Sequence, residues 1–514
     1  MTQSGPTSTA RRVVIAGGGT AGWMTAAALA HRLSHLGLDI TLVESSDIGT
    51  IGVGEATVPA IRQYIAELGL DMFEVMRETS ATFKLAIAFE NWRHEGHRFQ
   101  HSFGRYGASV GPAGFHQLWR RLKAAGDTRT LGDFSLGVRL ADAGRFAQAP
   151  QPPRADFDVF DWAIHFDAGL FAKFLRQYSE ARGVTRIDAR IATVRRDESD
   201  GRITALELDT GVSLDGDLFI DCTGFRSLLL QGALGVGYED WRNWLPCDRA
   251  IALPCAATSP AITPFTRARA KSAGWTWRIP LQHRVGNGYV YSSDHISDED
   301  AEAALRADLE GDVLAPPNKI RFIPGRAKTF WSHNCVAIGL AGGFLEPLES
   351  TSITLIQMGI DKLIQLWPQT PVDPRIAAEY NRISALEYER IRDFIILHYL
   401  LNQRGDEPLW AYCRQMTPPD TLQHKLDLWR ARGLFARYDW ESFFDPSWLC
   451  MYDGFDVEPS AIDPTAEILP LGDIAAMADR IEADISAFIA AAPEHHQALK
   501  ALGAARAQDQ AAAG

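Results

Sequence analysis

Three stretches of the chain carry residue types whose spacing can do chemistry. Gly17-x-Gly19-x-x-Gly22 follows an apolar run at residues 13–16 and opens an alanine-rich stretch in which Thr20 and Ala21 come first. In this pattern the first glycine permits a tight turn. The second lets a pyrophosphate approach the backbone, and the third lets helix and strand pack closely, with the helix N-terminus facing the phosphates. Glu44 closes the next apolar run, where an acid takes ribose hydroxyls. Together these predict a dinucleotide site. Lys84 lies in Phe83-Lys84-Leu85-Ala86-Ile87-Ala88-Phe89. The alternation predicts a strand with one buried face, and it places the lysine on the other face beside two alanines, which leave room for a ligand. A lysine on a solvated face is the plainer alternative. Glu349 precedes Ser350-Thr351-Ser352, after which Ile353, Ile356, Ile360 and Leu363 recur at helical spacing. Free N–H groups and the positive end of such a helix make an anion site. Simple capping by the Ser/Thr cluster accounts for the same residues.

The elements that must position these groups follow from the pattern. Residues 11–44 read as strand, helix (21–33), strand. A glycine-rich turn (Gly49, Gly52, Gly54) leads to Thr57 and Pro59, which read as the cap and first turn of a helix burying Ile61, Tyr64, Ile65 and Leu68. Residues 166–182 and 374–404 read as helices. Residues 187–194, 203–208 and 218–222 read as strands, and 105–115 and 146–156 as loops. The expected architecture is α/β and a single body. One dinucleotide-binding module is assembled from residues 11–70, 155–230 and 315–367. It is interleaved with a largely helical substrate module from 71–154, 231–314 and 368–470. The tails, 1–10 and 497–514, are expected to be loose.

Composition narrows the function. The 514 residues are 46% hydrophobic and 22% charged, an ordinary globular balance, with net charge −13. Without a basic surplus, nucleic acid and anionic membranes are excluded as expected partners. Six scattered cysteines lack any C-x-x-C, which argues for a reducing compartment and against a disulfide scaffold or zinc site. No metal is expected. No apolar stretch reaches the roughly 18 residues of a membrane span, and the polar first ten residues do not read as a signal peptide. A cytoplasmic enzyme is the expectation.

Two further segments specify the dinucleotide. Residues 218–224 (LFIDCTG) resemble the second strand-and-turn of FAD proteins. Residues 335–343 (CVAIGLAGG), with Leu340, resemble the third, which passes under the ribityl chain and flavin. No second Gly-rich fingerprint follows a strand, so no NADPH domain is expected. Aromatic hydroxylases of this fold carry Gly-Asp in the third segment; here the pair is Gly339-Leu340.

Several motifs together resemble the flavin-dependent tryptophan halogenases. Gly52-Val53-Gly54-Glu55-Ala56-Thr57-Val58-Pro59 is similar to the family's flavin-contacting strap. Phe83-Lys84-Leu85-Ala86-Ile87 is similar to the segment holding its essential lysine. Residues 274–280 (GWTWRIP) match its GWxWxIP signature, and residues 344–351 (FLEPLEST) match the segment with its glutamate and halide site. The resemblance runs from about residue 12 to 455. It implies a Rossmann-like FAD module of the GR2 type, with Gly52, Val53, Gly54, Glu55, Ala56 and Leu340 beside the cofactor. It implies that FADH2 from a separate flavin reductase, O2 and halide yield hypohalous acid. That acid travels to Lys84, which hydrogen-bonds it or becomes a haloamine. Glu349 then stabilises the cationic ring of a small aromatic substrate. Halide is expected at Thr351 and Ser352, where chlorinating members have glycine at the second position. His101, Phe103, Trp275 and Trp277 are expected to line the substrate, although buried packing explains the two tryptophans equally well. The family's tyrosine-pair anchor for the amino-acid end is missing from residues 432–448, which favours an indole over free tryptophan. A flavin-dependent hydroxylase and a non-catalytic flavin-binding protein are the alternatives.

Overall fold

The computed structural model describes residues 8–47 and 54–506; Gly49 of the expected turn and Gly52 and Val53 of the expected strap lie outside them. The dinucleotide-type sheet has six strands. In spatial order they are Trp331–Ser332, Cys335–Ala337, Leu218–Asp221, Arg12–Ala16, Asp39–Glu44 and Thr185–Asp188. All neighbours are parallel except the edge pair at 331–337. Ile220, Ile15 and Leu42 lie side by side across the middle and are fully buried. Both faces of such a sheet are covered, which is why these strands read as unbroken apolar runs. The helix Thr20–Arg32 covers one face, packing on Ala168–Glu180 and Ser352–Gln365.

A second sheet of seven strands runs Asn318–Arg321, Arg249–Ala252, Val285–Tyr291, Gly274–Pro280, Phe265–Lys271, Ala86–Glu90, Arg98–Ser102. Helical periodicity in the sequence did not point to it. Its helical surround includes Pro374–Leu400, Asp420–Arg432 and Asp445–Gly454. A small third sheet joins Gly54–Ala56, Ala163–Asp167 and Thr82–Lys84. Lys84 ends a strand of this sheet, and Ala86 begins one of the seven-stranded sheet. Leu85 is the joint, its N–H given to Pro264 O.

Four sequence expectations are corrected. Residues 83–89 are buried on both faces, Lys84 included, because two sheets and the helices enclose the joint. Thr57 caps no helix: its hydroxyl donates to Ile164 O at 2.7 Å, and the helix Ala60–Glu67 starts at Pro59 without a side-chain cap. Residues 187–194 are not one strand: Thr185–Asp188 ends the large parallel sheet, and Ile191–Arg196 forms a hairpin with Ile203–Leu208. Finally, the described parts of both tails are packed. Ser8–Thr9 pairs with Gln369–Thr370, His495–Ala501 is a helix, and Leu499 and Ala504 are buried. His495 Nε2 accepts the Phe83 N–H at 3.1 Å while Nδ1 faces Ile262 O, so the C-terminal helix clamps the strand that ends in Lys84. Burial pushes the His495 imidazole down to about 4, which keeps Nε2 an acceptor.

Candidate active site

A cavity of about 590 Å³ opens at the C-terminal ends of the parallel strands, where ligands of open α/β sheets bind. Gly17, Gly19, Thr20, Ala21, Glu44, Gly54, Glu55, Ala56 and Leu340 line it. The glycines fit a dinucleotide. Gly17 has φ +103°, and a Cβ there would lie 2.3 Å from Cys222 O. A Cβ on Gly22 would lie 1.9 Å from Gly17 O, so this glycine folds the turn onto the helix. A Cβ on Gly19 would meet open space, so there the backbone faces the cavity bare. Glu44 pairs with Arg186 at the cavity's edge. Burial raises the Glu55 carboxyl to about 7.

The far wall is Trp275, Trp277, Ile279, Thr266, Ser350 and Ser352. Alternation along Gly274–Pro280 puts both indoles on one face. They therefore border the dinucleotide cavity and do not join His101 and Phe103, which lie beyond this wall. Thr266 donates to His165 Nε2, and His165 Nδ1 meets the Thr82 hydroxyl, itself given to Pro280 O. Burial and the Lys84 charge keep that imidazole neutral, its pKa far below the usual value.

Behind the wall lies a closed polar cluster. Lys84 Nζ donates to Thr57 O at 2.8 Å and to Ser350 Oγ at 2.7 Å, and stands 5.2 Å from the centre of the Phe103 ring. Ser350 is thus the residue shared by cavity and cluster. It has φ +61°, a conformation that costs energy in a residue with a side chain and is held by its surroundings. Next to it, Glu349 receives His101 Nδ1 at 3.0 and 3.1 Å and His398 Nε2 at 2.9 Å. His398 Nδ1 is already given to Phe394 O. Its Nε2 can therefore serve an ionised Glu349 only if the ring carries both protons. Burial alone would raise the Glu349 carboxyl; the two histidines outweigh it and hold it at about 2. Burial lowers the Lys84 amine from 10.5 to about 7, against the pull of Glu349.

That lysine shift has a sign that can be measured. Between about 7 and 10.5 the unfolded chain carries the Lys84 proton and the folded chain does not. Stability therefore rises with pH across that window. Wild type should gain on Lys84→Met as pH rises through it, read as the difference between their urea midpoints. A difference independent of pH would contradict the burial of the amine.

Thr351 is buried, and its hydroxyl has no hydrogen-bond partner among the described residues. It occupies the N-cap of the helix Ser352–Gln365 without capping through its side chain. Capping therefore does not account for the Ser/Thr cluster, and an orphaned donor beside free helix N–H groups suits an anion. Three participants were not visible as such in the sequence: Ser350, hidden within that cluster; the Thr57 carbonyl; and His398, which lies far along a long helix with no local cue. A fourth, Glu346, sits in the motif 344–351 and accepts both Trp275 Nε1–H and Tyr399 O–H at 2.6 Å.

The residue run 434–448 closes the outer side. Phe443 stacks on Phe394 at 3.9 Å and lies 6.3 Å from the His101 ring. Its one glutamate, Glu441, is half-buried and lies 2.7 Å from Lys425 Nζ.

Comparison with known proteins agrees with this geometry. The family model described as tryptophan halogenase matches residues 12–470. The chain is 39% identical over 446 residues to tryptophan 6-halogenase SttH of Streptomyces toxytricini, covering 82% of this chain and 84% of that protein. It is 36% identical to tryptophan 7-halogenase RebH of Lentzea aerocolonigenes, covering 82% of each. Among solved structures, BrvH, a flavin-dependent halogenase from Brevundimonas sp. BAL3, superposes with a TM-score of 0.93 at 50% identity, covering 96% of this chain and 99% of that one. A matching family span over nearly the whole chain, and a dinucleotide cavity joined through Ser350 to a buried lysine and glutamate, place this chain in the tryptophan halogenase family, as a flavin-dependent halogenase.

Proposed function

We propose that the chain halogenates a small indole, with FAD as its flavin. Bound reduced FAD supplies, together with O2 and halide, the two-electron oxidation that turns halide into hypohalous acid. The chain's own residues do the rest. Gly17, Gly19, Thr20, Ala21 and Gly22 cradle the pyrophosphate, and Glu44 takes the ribose. Glu55, Ala56 and Leu340 face the flavin end, with Gly52 and Val53 outside the described residues. The Thr351 and Ser352 amides hold the halide. Trp275 and Trp277 keep the organic substrate out of the oxidising cavity. Lys84 receives the acid past Ser350 and aims it at a ring held near His101 and Phe103. Confinement of this kind directs an oxidant that would react anywhere in bulk water. Glu349 stabilises the cationic ring and takes its proton, which His101 and His398 make room for by keeping the carboxylate ionised. The observation that carries this reading is the Ser350 hydroxyl: it belongs to the cavity wall and lies 2.7 Å from Lys84 Nζ.

One Gly-rich fingerprint and no second one supports a separate flavin reductase as partner. Six buried free cysteines support work in a reducing, cytoplasmic setting.

The test is product analysis with purified protein, FAD, a reductase, halide and a panel of indoles. Free indole should outperform free tryptophan and be halogenated at C3, its most electron-rich carbon. A zwitterion needs paired polar partners, and leaving its charges unpaired in a pocket costs on the order of several kcal/mol. Glu441, the acid nearest in sequence to the expected anchor, is already bound to Lys425. Efficient halogenation of tryptophan at one benzo-ring carbon, with indole untouched, would refute this. An oxygenated product in its place would favour the hydroxylase alternative.

Bromide should serve at least as well as chloride. It is the easier halide to oxidise, and Ser352 adds a side chain where chlorinating members have glycine. A competition at equal halide concentrations that gave mainly chlorinated indole would overturn this.

A further inference from the structure

Trp275 differs from the other tryptophans in what takes its N–H. Among the described residues, every other indole with a recorded acceptor gives its proton to a backbone carbonyl, as Trp92 does to Ala268 O and Trp410 to Lys271 O. Trp275 alone gives it to a carboxylate, Glu346 Oε2 at 2.6 Å. The same oxygen accepts the Tyr399 phenol at 2.6 Å, and the second oxygen, Oε1, has no partner among the described residues. An indole and a phenol, the two side chains most easily oxidised after thiols, thus share one buried base.

The rings around them are in contact. Trp275 and Trp277 border the dinucleotide cavity and lie 6.2 Å apart between centroids. Trp275 lies 6.3 Å from Trp92, and Trp92 lies 5.5 Å from Tyr399 and 5.4 Å from Trp410. Trp275, Trp92, Tyr399, Trp410 and Glu346 are each at most 1% exposed. Electron transfer between rings at such distances is fast compared with diffusion. A carbonyl cannot take the proton of an oxidised indole, but a carboxylate can.

We propose that Trp275, Glu346 and Tyr399 form a proton-coupled electron relay that removes stray one-electron oxidising equivalents from the cavity wall. The proposal rests on the flavin reading of the cavity. In the first step Trp275 gives one electron to a one-electron oxidant of the flavin–oxygen class in the cavity, which is reduced by one electron. The indole N–H bond breaks, and the proton forms an O–H bond on Glu346 Oε2, leaving a neutral indolyl radical. In the second step Tyr399 gives one electron to that radical, directly or through Trp92. The proton on Glu346 returns to the indole nitrogen, and the phenol proton replaces it on Glu346. Trp275 is restored, and Tyr399 is a phenoxyl radical away from the cavity. One electron from the thiolate form of a small thiol, which leaves as a thiyl radical, and the proton stored on Glu346 return the phenol and restore the carboxylate. Burial raises the Glu346 carboxyl to about 7 against its two hydrogen bonds, so near neutral pH it can hold or release that proton. An enzyme that makes an oxidant beside its own tryptophans gains a way to discharge them before they are modified.

The experiment is flash photolysis of protein loaded with oxidised FAD, with retained flavin measured first by absorbance. Blue light makes the flavin the one-electron oxidant, so halogenation plays no part in the readout. Wild type should show one-electron reduction of flavin, then neutral indolyl absorption, then phenoxyl. Glu346→Gln keeps an acceptor oxygen for both hydrogen bonds but is not a base. It should prolong the protonated indole radical cation about a hundredfold, the size of a positioned base's contribution, and abolish the phenoxyl. Tyr399→Phe should leave the neutral indolyl as the end state, and Trp275→Phe should remove the indolyl signal. Phenoxyl in Glu346→Gln at wild-type yield and rate overturns the relay alone. A chain that retains no flavin overturns the cofactor reading and the relay together.

Discussion

Replacing Lys84 by alanine is expected to abolish halogenated product while flavin binding and peroxide release stay at wild-type levels. Among the described residues, the Lys84 amine is the side-chain nitrogen that reaches Ser350, and an amine can bind or carry an electrophilic halogen. The pyrophosphate cradle at Gly17–Gly22 lies on a different sheet, and Gly54–Ala56 is tied to the sheet of Thr82–Lys84 through the backbone of Ala163–Asp167, so losing one side chain leaves both intact. The substitution has a structural cost. Thr57 O and Ser350 Oγ lose their donor, and each unpaired buried polar group costs about 1–3 kcal/mol. The readouts are therefore liquid chromatography of the product, flavin absorbance after gel filtration, and hydrogen peroxide. Product near wild-type levels would remove Lys84 from the mechanism. Loss of flavin together with product would show that the variant misfolds, and Lys84→Met, closer in volume, would then be used in the same assays.

Glu349→Gln should lower kcat by roughly a hundredfold, as for the loss of one preorganised electrostatic stabiliser, with the substrate KM little changed. The neutral amide cannot oppose the positive charge that develops on the ring. Nor can it satisfy both histidines as before. His101 and His398 each present an N–H to the carboxylate, and an amide nitrogen turned toward either would set donor against donor. Rate measurements under saturating reduced flavin decide it. A kcat within a few-fold of wild type would assign the residue to structure alone.

The sequence made part of this legible for a physical reason. The fingerprint Gly17–Gly22 and Glu44 are local: turn, helix start and strand end lie within one short span, so spacing alone states their geometry. The run at 83–89, which spans the end of one strand and the start of another, is only half readable. Alternation there reflects residue size, and it cannot tell a half-exposed strand from one enclosed by two sheets, so the burial of Lys84 was missed. Thr57 looked like a cap because Thr-x-Pro is a common helix start; in the fold its hydroxyl is spent on Ile164 and its carbonyl on Lys84. For His398 and Tyr399 the sequence shows the helix but not the partners. They meet Glu349 and Glu346 across some fifty residues of sequence, and a helical period says which face is buried but not which partner waits there.

The clamp formed by His495 bears on where this protein can be cut. The family model stops at residue 470, and a boundary drawn from it would look natural, although the likeness to BrvH covers 96% of the chain and so runs past it. Yet Leu471–Ala491 and His495–Ala501 come after it, and His495 holds the Phe83 N–H one residue before the lysine. A chain shortened to that span would keep every motif that names its chemistry. It would lose the wedge that fixes the strand presenting Lys84, along with the cover over Phe83 and Phe146. The unit that folds is longer than the span that the family model matches.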